Sequence, residues 1–222
     1  MKQQENEKYI RDLVQGRIQH SIDIKKALLL DQQFHDVLAH VAARIVASLR
    51  AGGKVIFFGN GGSAADAQHL TAEFTGRYLK ERRALAALAL STNSSSVTAI
   101  GNDYGFDLVF ARQLEALGKE GDVAVGISTS GNSRNVIRAF EVAKSKSIYT
   151  VALTGASGGA MKKIADCTIS VPTEETPRIQ ECHILAGHII CEIAELGLFE
   201  DLENGSAAND FITASSHREK NS

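Results

Sequence analysis

Apolar positions recur along the chain with two different periods, and the alternation between them predicts the fold. Helical spacing of apolar residues fills long segments, which are separated by short continuous runs of aliphatic and aromatic residues typical of buried strands. The predicted strands cover residues 55–58, 85–90, 122–127, 148–153 and 167–171. Strands that alternate with helices indicate an α/β fold, so we predict a doubly wound, five-stranded parallel sheet flanked by helices.

Two amphipathic stripes precede the first predicted strand. The second stripe runs from Phe34 to Leu49, and a helix at this place packs either on the sheet or on another subunit. We therefore expect residues 1–50 to contact both the core and neighbouring subunits, residues 51–199 to form the main domain, and the polar residues 200–222 to form a mobile C-terminal tail. The first stripe consists of Ile10, Leu13, Val14, Ile18 and Ile22.

Charge and composition narrow the class of partner. The 222 residues carry a formal net charge of −2, which gives no electrostatic footprint for nucleic acid. No apolar run reads as a membrane span, and the polar first residues lack the apolar core of a signal peptide, so we expect a cytoplasmic protein. Three cysteines without CxxC spacing, Cys167, Cys182 and Cys191, are expected to be reduced thiols.

A glycine-rich turn, Gly59 to Ser63, links the first predicted strand to a helix. Glycines let a backbone approach a ligand closely, and the free N–H groups at a helix start favour phosphate or carboxylate. A turn that is merely tight would carry the same glycines. His69 and Glu73, four residues apart on the following helix, share one face beyond this turn. Such a pair is either a solvated helix contact or part of a ligand site.

A hydroxyl-rich loop follows the third predicted strand. Four hydroxyl side chains and a glycine at a helix start favour a phosphate site over a simple helix cap, because a cap needs only one of them. Both loops follow strands of a parallel sheet, so they open at the same edge and can line one crevice. The hydroxyl residues are Ser128, Thr129, Ser130 and Ser133.

Two further segments carry polar residues of interest. Asn102 and Asp103 lie in a predicted turn bracketed by glycines, and turn formation alone would account for them. The last helix is expected to have Thr176 as its N-cap and to place Gln180 and His188 two turns apart on the border of one cavity. Alternatively, Gln180 and His188 are each a polar side chain in the core whose hydrogen bonds are made within the protein.

Taken together, four ordered motifs resemble the phosphoheptose isomerases of the sugar isomerase (SIS) family. The resemblance spans about residues 35–199 and implies a homotetramer with active sites between subunits. It also implies conversion of D-sedoheptulose 7-phosphate to D-glycero-D-manno-heptose 7-phosphate, the first step toward the heptose of bacterial surface polysaccharides. The motifs are GNGGSAADAQHLTAEFTGRY, IGNDYGF, GISTSGNSRNV and RIQECHILAGH.

The resemblance also implies roles for individual residues. Glu73 and His188 would exchange protons with the sugar, and Ser128, Thr129, Ser130 and Ser133 would hold its phosphate. Zinc, as the implied cofactor, would be bound by His69, Glu73, Gln180 and His188. The other residues implied to line the sugar are Asn60, Gly61, Gly62, Ser63, Arg77, Asn102, Asp103 and Gln180.

Two points stay open at the level of sequence. A Glu or His lone pair bound to zinc is a poorer proton acceptor, and glutamine is an unusual zinc ligand. Other SIS proteins are scaffolds that bind the bacterial replication initiator, or modules that sense a sugar phosphate without turnover. Since this chain keeps both Glu73 and His188, the isomerase is the favoured interpretation.

Overall fold

The computed structural model describes residues 2–200, with side chains from residue 4, and it confirms the predicted parallel sheet. The strand order is β2-β1-β3-β4-β5, and every neighbouring pair is parallel. The edge strand β2 is shorter than the apolar run that predicted it. The strands are β1 (Val55–Gly59), β2 (Ala87–Ala89), β3 (Val123–Ile127), β4 (Tyr149–Thr154) and β5 (Cys167–Ser170).

Helices lie before, between and after the strands. The two predicted N-terminal helices are present, and a short 3₁₀ turn (Phe106–Leu108) precedes α5. The α-helices are α1 (Lys2–Leu29), α2 (Gln32–Arg50), α3 (Gly62–Thr75), α4 (Ser94–Tyr104), α5 (Val109–Leu117), α6 (Arg134–Ser145), α7 (Met161–Ile164) and α8 (Thr176–Phe199). The last helix begins with Glu175 as its N-cap, one residue before the predicted cap.

The sheet is buried on both faces. Val55 and Phe57 of β1 belong to a hydrophobic cluster shared with α2, α3 and α8, whereas Ile56 and Phe58 belong to a second cluster shared with α5 and α6. Successive strand residues point to opposite faces, so a strand covered on both sides has to be apolar throughout. This is why the strands appear in the sequence as continuous apolar runs.

The strand order places the loops of interest side by side. Because β1 and β3 are neighbours while β2 lies outside β1, the chain reverses its direction of winding between β1 and β3. In open α/β sheets, ligands bind beyond the carboxyl ends of the strands at such a switch point. The loops after β1 and after β3 both open there.

The prediction of a turn at Asn102 and Asp103 is wrong. Both residues lie in the last turn of α4, which ends at Tyr104. Asn and Asp favour turns when they bond to their own backbone, but here the Asn102 amide donates to the Asp103 carboxylate at 2.8 Å. The helix is broken instead by Gly105, whose φ of 88° lies in the left-handed region.

The statement that no segment could span a membrane also needs correction. By length and composition alone, α8 is apolar enough to cross a bilayer. Within this fold, α8 packs against α2 and α3, and the middle of the helix contributes Ala186, Ile190 and Ala194 to the core. A long core helix meets the same test of length and composition.

The two predicted stripes of the N-terminal helices have different environments. The stripe on α2 faces the core, where Leu38, Val41 and Ile45 are buried. The stripe on α1 is exposed in the single chain: Ile10, Val14 and Ile18 are each more than half exposed. Its contact with another subunit stays a prediction. Apart from residue 200, the predicted tail of residues 200–222 lies outside the described residues.

Acid is expected to weaken the fold through His183, a fully buried side chain of α8. Its Nε2 lies 3.1 Å from the carbonyl oxygen of Thr154, and burial lowers the pKa of His183 to about 4. The unfolded chain, with a histidine pKa of about 6.5, binds more protons below that pH. The stabilisation is therefore complete above pH 6.5 and declines by about 3 kcal/mol as the pH falls to 4. Urea unfolding across this range should show the decline, and His183→Gln should show a smaller pH dependence.

Candidate active site

Two asparagine side chains join the loops at the switch point. Asn60, directly after β1, donates its amide to Asn135 of α6 at 2.9 Å, and Asn135 donates back to Asn60 at 2.8 Å. Asn135 is buried, so this reciprocal pair fixes the spacing of the two loops from inside. The loops after β1 and β3 therefore lie next to each other at one edge of the sheet, as the sequence predicts.

The hydroxyl groups after β3 are clustered. Ser128 Oγ lies 2.8 Å from Ser133 Oγ and 3.5 Å from Ser130 Oγ. Ser133 is the N-cap of α6, yet its side chain makes no capping hydrogen bond to that helix. Ser128 is buried, Thr129 is half-buried and Ser130 is exposed. The arrangement offers several donors at a helix N-terminus, which suits a phosphate better than a simple cap does.

The start of α3 touches α8 through a glycine. A Cβ atom added to Gly62 would lie 2.4 Å from Nε2 of Gln180, so only glycine allows this side chain to approach the helix start. Gly61, just before, has a φ of 54°, a left-handed conformation that also favours glycine. Ser63 follows on the helix and is buried.

Further along the same two helices, three polar side chains converge. His69 Nε2 lies 2.9 Å from His188 Nε2 and 3.3 Å from Glu73 Oε1. The helices can approach because α8 carries Gly187 here: an added Cβ would lie 2.6 Å from a methyl carbon of Leu70. The spacing of His69 and Glu73 in the sequence predicts that these two lie together, and the family resemblance adds His188 to them.

The trio fits a divalent transition metal. The possible ligand atoms of His69, Glu73 and His188 all lie within 4.8 Å of one another. Ligands bound to a tetrahedral zinc ion at their usual distances are about 3.3 Å apart, close to the separations seen here. Three protein ligands with one open position are typical of catalytic rather than structural zinc sites. Imidazole and carboxylate are also ligand types that zinc accepts.

Comparison with known proteins shows which family this chain is similar to. A family model described as the SIS domain matches residues 24–155. The phosphoheptose isomerase of Aneurinibacillus thermoaerophilus is 49% identical over 86% of this chain and 97% of that protein. This chain belongs to the SIS family, among the phosphoheptose isomerases. The phosphoheptose isomerase of Rhodospirillum rubrum is 57% identical over 71% of this SIS chain and 84% of its own length.

A solved structure gives the same assignment for the SIS fold. The structure of a phosphoheptose isomerase from Neisseria gonorrhoeae superposes with a TM-score of 0.79 at 43% identity. The match covers 84% of this chain and 98% of that one. The predicted family and fold are therefore confirmed.

Some residues implied by the SIS resemblance lie apart from the trio. Gln180 is two helical turns before His188, about 12 Å along α8, and its amide packs on Gly62. Asn102 and Asp103 bond to each other at the exposed end of α4. Arg77 is exposed, and its Nε lies 3.8 Å from Glu81. Roles for these residues at the sugar or the metal stay predictions.

Sequence reasoning missed several groups that surround the trio in this SIS domain. The Tyr78 ring stacks on the His188 imidazole, with centroids 5.7 Å apart. Arg82 and Glu195, each 3% exposed, form a buried ion pair at 2.8 Å. Arg82 is followed by Arg83 in a charged segment, so nothing in the local pattern marks it as buried. Glu195 is equally unmarked, because α8 carries other charged residues as well.

Asp66 is a further acidic side chain beside the trio, at helical spacing from His69 and Glu73. It lies one turn before His69 on α3, and its Oδ2 is buried with no hydrogen-bond partner among the described residues. Burial raises the pKa of this carboxyl group, and the neighbouring His69 acts in the opposite direction. An unpaired carboxylate oxygen beside a histidine adds negative potential to the trio.

Proposed function

We propose that this protein is an aldose–ketose isomerase that converts D-sedoheptulose 7-phosphate to D-glycero-D-manno-heptose 7-phosphate. The observation that carries the proposal is the convergence of His69, Glu73 and His188 on neighbouring helices of a phosphoheptose isomerase fold. We expect the reaction to take place in the cytoplasm and to supply heptose for surface polysaccharide.

The proposed chemistry uses a carboxylate and an imidazole. Glu73 takes a proton from C1 of the ketose, the C1–C2 bond becomes the double bond of an enediol, and the C2 carbonyl oxygen gains a proton. The oxygen on C1 then loses its proton as the new carbonyl forms, and C2 receives a proton. His188 exchanges the protons of the two oxygens. Each well-placed acid or base contributes roughly a hundredfold or more to the rate.

The assay is incubation of the purified protein with sedoheptulose 7-phosphate in D₂O, followed by NMR. An enediol route produces the aldose with deuterium at C2, because the proton held by the enzyme exchanges with solvent. A scaffold that binds the replication initiator would form no aldose. A sensor module would bind the sugar phosphate and also leave it unchanged.

The serine loop is proposed to hold the phosphate, and Ser130 tests this assignment. Ser130 is exposed at the cluster, so Ser130→Ala removes a hydroxyl donor without opening the core. We expect KM to rise roughly tenfold, the equivalent of one lost charge-assisted hydrogen bond, while kcat changes little. The comparison of phosphorylated with unphosphorylated sugar completes the test. Equal affinity for the two sugars would contradict the assignment.

Zinc is the proposed metal, with His69, Glu73 and His188 as ligands and Gln180 as the fourth ligand implied by the resemblance. A bound zinc ion would act as a Lewis acid toward a sugar oxygen. Metal content should approach one equivalent per chain in wild type and fall in His69→Ala. Activity should fall on chelation and return with added zinc. Full activity of metal-free protein would remove the metal from the reaction.

Assembly into a homotetramer is the proposed arrangement of subunits. The exposed apolar stripe of α1 supports it, since contiguous apolar surface of this kind marks interaction sites. The geometry of α3 also supports it: Glu73 lies eleven residues beyond Gly62, about 16 Å along the helix axis. In a site shared between subunits, the phosphate loop of one chain would face Glu73 of another, and the two would be closer than they are within one chain. Arg77 would reach the sugar across that interface. Light scattering should give the mass of four chains.

A further inference from the structure

The His188 imidazole is held mainly by other rings. Tyr78 stacks on it at 5.7 Å with an interplanar angle of 30°, and His69 meets it edge-on at 5.0 Å. Among the described residues, the one hydrogen bond of the His188 ring is to His69 Nε2. Catalytic and metal-binding histidines are usually oriented by a hydrogen bond from their second ring nitrogen. Among the described residues His188 makes no such hydrogen bond, and the Tyr78 ring packs on its face instead.

The backbone that carries Tyr78 is tied to the helix of His188. The carboxylate of Glu195 accepts hydrogen bonds from the N–H groups of Tyr78, Leu79 and Lys80 at 3.3, 2.9 and 2.9 Å. Glu195 lies seven residues after His188 on α8, so about two helical turns separate the two residues. The backbone that carries the Tyr78 ring is therefore bound to α8, the helix that carries the His188 imidazole.

The ion pair of Glu195 with Arg82 also contacts the backbone of Glu73. Arg82 donates from Nε to Glu195 at 2.8 Å and from Nη2 to the carbonyl oxygen of Glu73 at 2.6 Å. Its Nη1 donates to the carbonyl oxygen of Phe74 at 3.0 Å. These are carbonyls of the last turn of α3, which lack partners inside the helix. One buried ion pair thus caps the C-terminal turn of α3, which carries Glu73, and fixes the segment that carries Tyr78.

From this geometry we infer that Tyr78 is a positioning residue for His188, held in place by the buried Arg82–Glu195 pair. The ring of Tyr78, rather than its hydroxyl group, sets the orientation of the imidazole toward the sugar. The kinetic part of this inference rests on the proposed function, because it assumes that His188 takes part in turnover. The orientation of the ring does not depend on that assumption.

Kinetics of three Tyr78 variants test the inference. Tyr78→Leu and Tyr78→Met remove the ring, whereas Tyr78→Phe keeps it. We expect kcat to fall roughly tenfold or more in the first two, with KM within about twofold, because misplacing a catalytic group slows the chemical step. Tyr78→Phe should retain the wild-type kcat. Equal losses in Tyr78→Phe and Tyr78→Leu would overturn the inference, since the hydroxyl group would then be responsible.

A matched control and a spectroscopic signal separate positioning from folding. Tyr149 is also partly buried and stacks on a side chain, Arg44, but it lies on β4 away from the trio, so Tyr149→Leu should keep the wild-type kcat. In histidine-labelled metal-free protein, the ring current of Tyr78 shifts the Cε1–H signal of His188. That shift should persist in Tyr78→Phe and disappear in Tyr78→Leu or Tyr78→Met.

The turnover rate and the NMR signal of His188 together distinguish failure of the positioning role from failure of the proposed function. An unchanged His188 signal in folded Tyr78→Leu and Tyr78→Met would overturn the inference whatever the kinetics show. Loss of the signal with unchanged kcat in an active enzyme would overturn it as well. If wild type formed no aldose at all, the proposed function would fail, and the NMR shift would still decide whether the Tyr78 ring packs on the imidazole.

Discussion

Glu73→Gln is expected to lower the turnover of sedoheptulose 7-phosphate by at least about a hundredfold. Glutamine keeps the size of the side chain, but its amide cannot accept a proton from carbon. Glu73 is partly buried, with its Oε1 3.3 Å from His69 Nε2, so the substitution changes the chemistry of the trio more than its packing. Binding of the sugar phosphate should be largely kept, because the serine loop is intact. Steady-state kinetics and a binding isotherm measure the two effects.

Controls identify the source of that loss. Glu141→Gln alters an exposed carboxylate of α6, which within residues 4–200 pairs with Arg138 on its own helix, and should leave turnover unchanged. Metal content must be measured in parallel, since glutamine is also a weaker metal ligand. His188→Ala should lose turnover to a similar extent. Wild-type turnover in Glu73→Gln would refute the role of this carboxylate.

Arg82→Met is expected to lower the free energy of unfolding by about 3–5 kcal/mol, because it leaves the Glu195 carboxylate buried without its ionic partner. Both side chains are only 3% exposed. The substitution also removes donors from the carbonyl oxygens of Glu73 and Phe74. Equilibrium urea unfolding at fixed protein concentration gives the value.

The exposed pair of Arg138 and Glu141 provides the comparison for Arg82. Arg138→Met breaks an ion pair of the same length, 2.8 Å, at the protein surface, where water and salt screen the charges. Its unfolding midpoint should stay close to that of wild type. If Arg82→Met unfolded at the same urea concentration as Arg138→Met, the buried pair would not be the support that the structure indicates.

The parts of the fold that follow from local pattern could be predicted from the sequence. Continuous apolar runs marked β1, β2 and β3 because both faces of the sheet are covered, and mostly apolar runs that include Thr or Ser marked β4 and β5. The order of strands and loops then placed the two phosphate-type loops at one edge. Helical spacing placed His69 beside Glu73, whereas His188 needed the resemblance, since it lies 119 residues from His69.

Contacts between distant residues escaped sequence reasoning. Asn135 pairs with Asn60 across 75 residues, and Arg82 pairs with Glu195 across 113 residues, without a local signal for either. The turn predicted at Asn102 failed because its side chain bonds to Asp103 and leaves the backbone free to continue α4. Glycines there indicated a break, but only Gly105 adopts a left-handed conformation.

A crystal structure with a bound heptose phosphate would show whether the serine loop and the trio act on the same sugar molecule. We predict that the phosphate lies on the hydroxyl groups of Ser128 to Ser133, and that C1 and C2 of the sugar lie within about 3.5 Å of Glu73 and His188 from the same or a neighbouring subunit. A complex in which both side chains are remote from these carbons in every subunit would contradict the catalytic account.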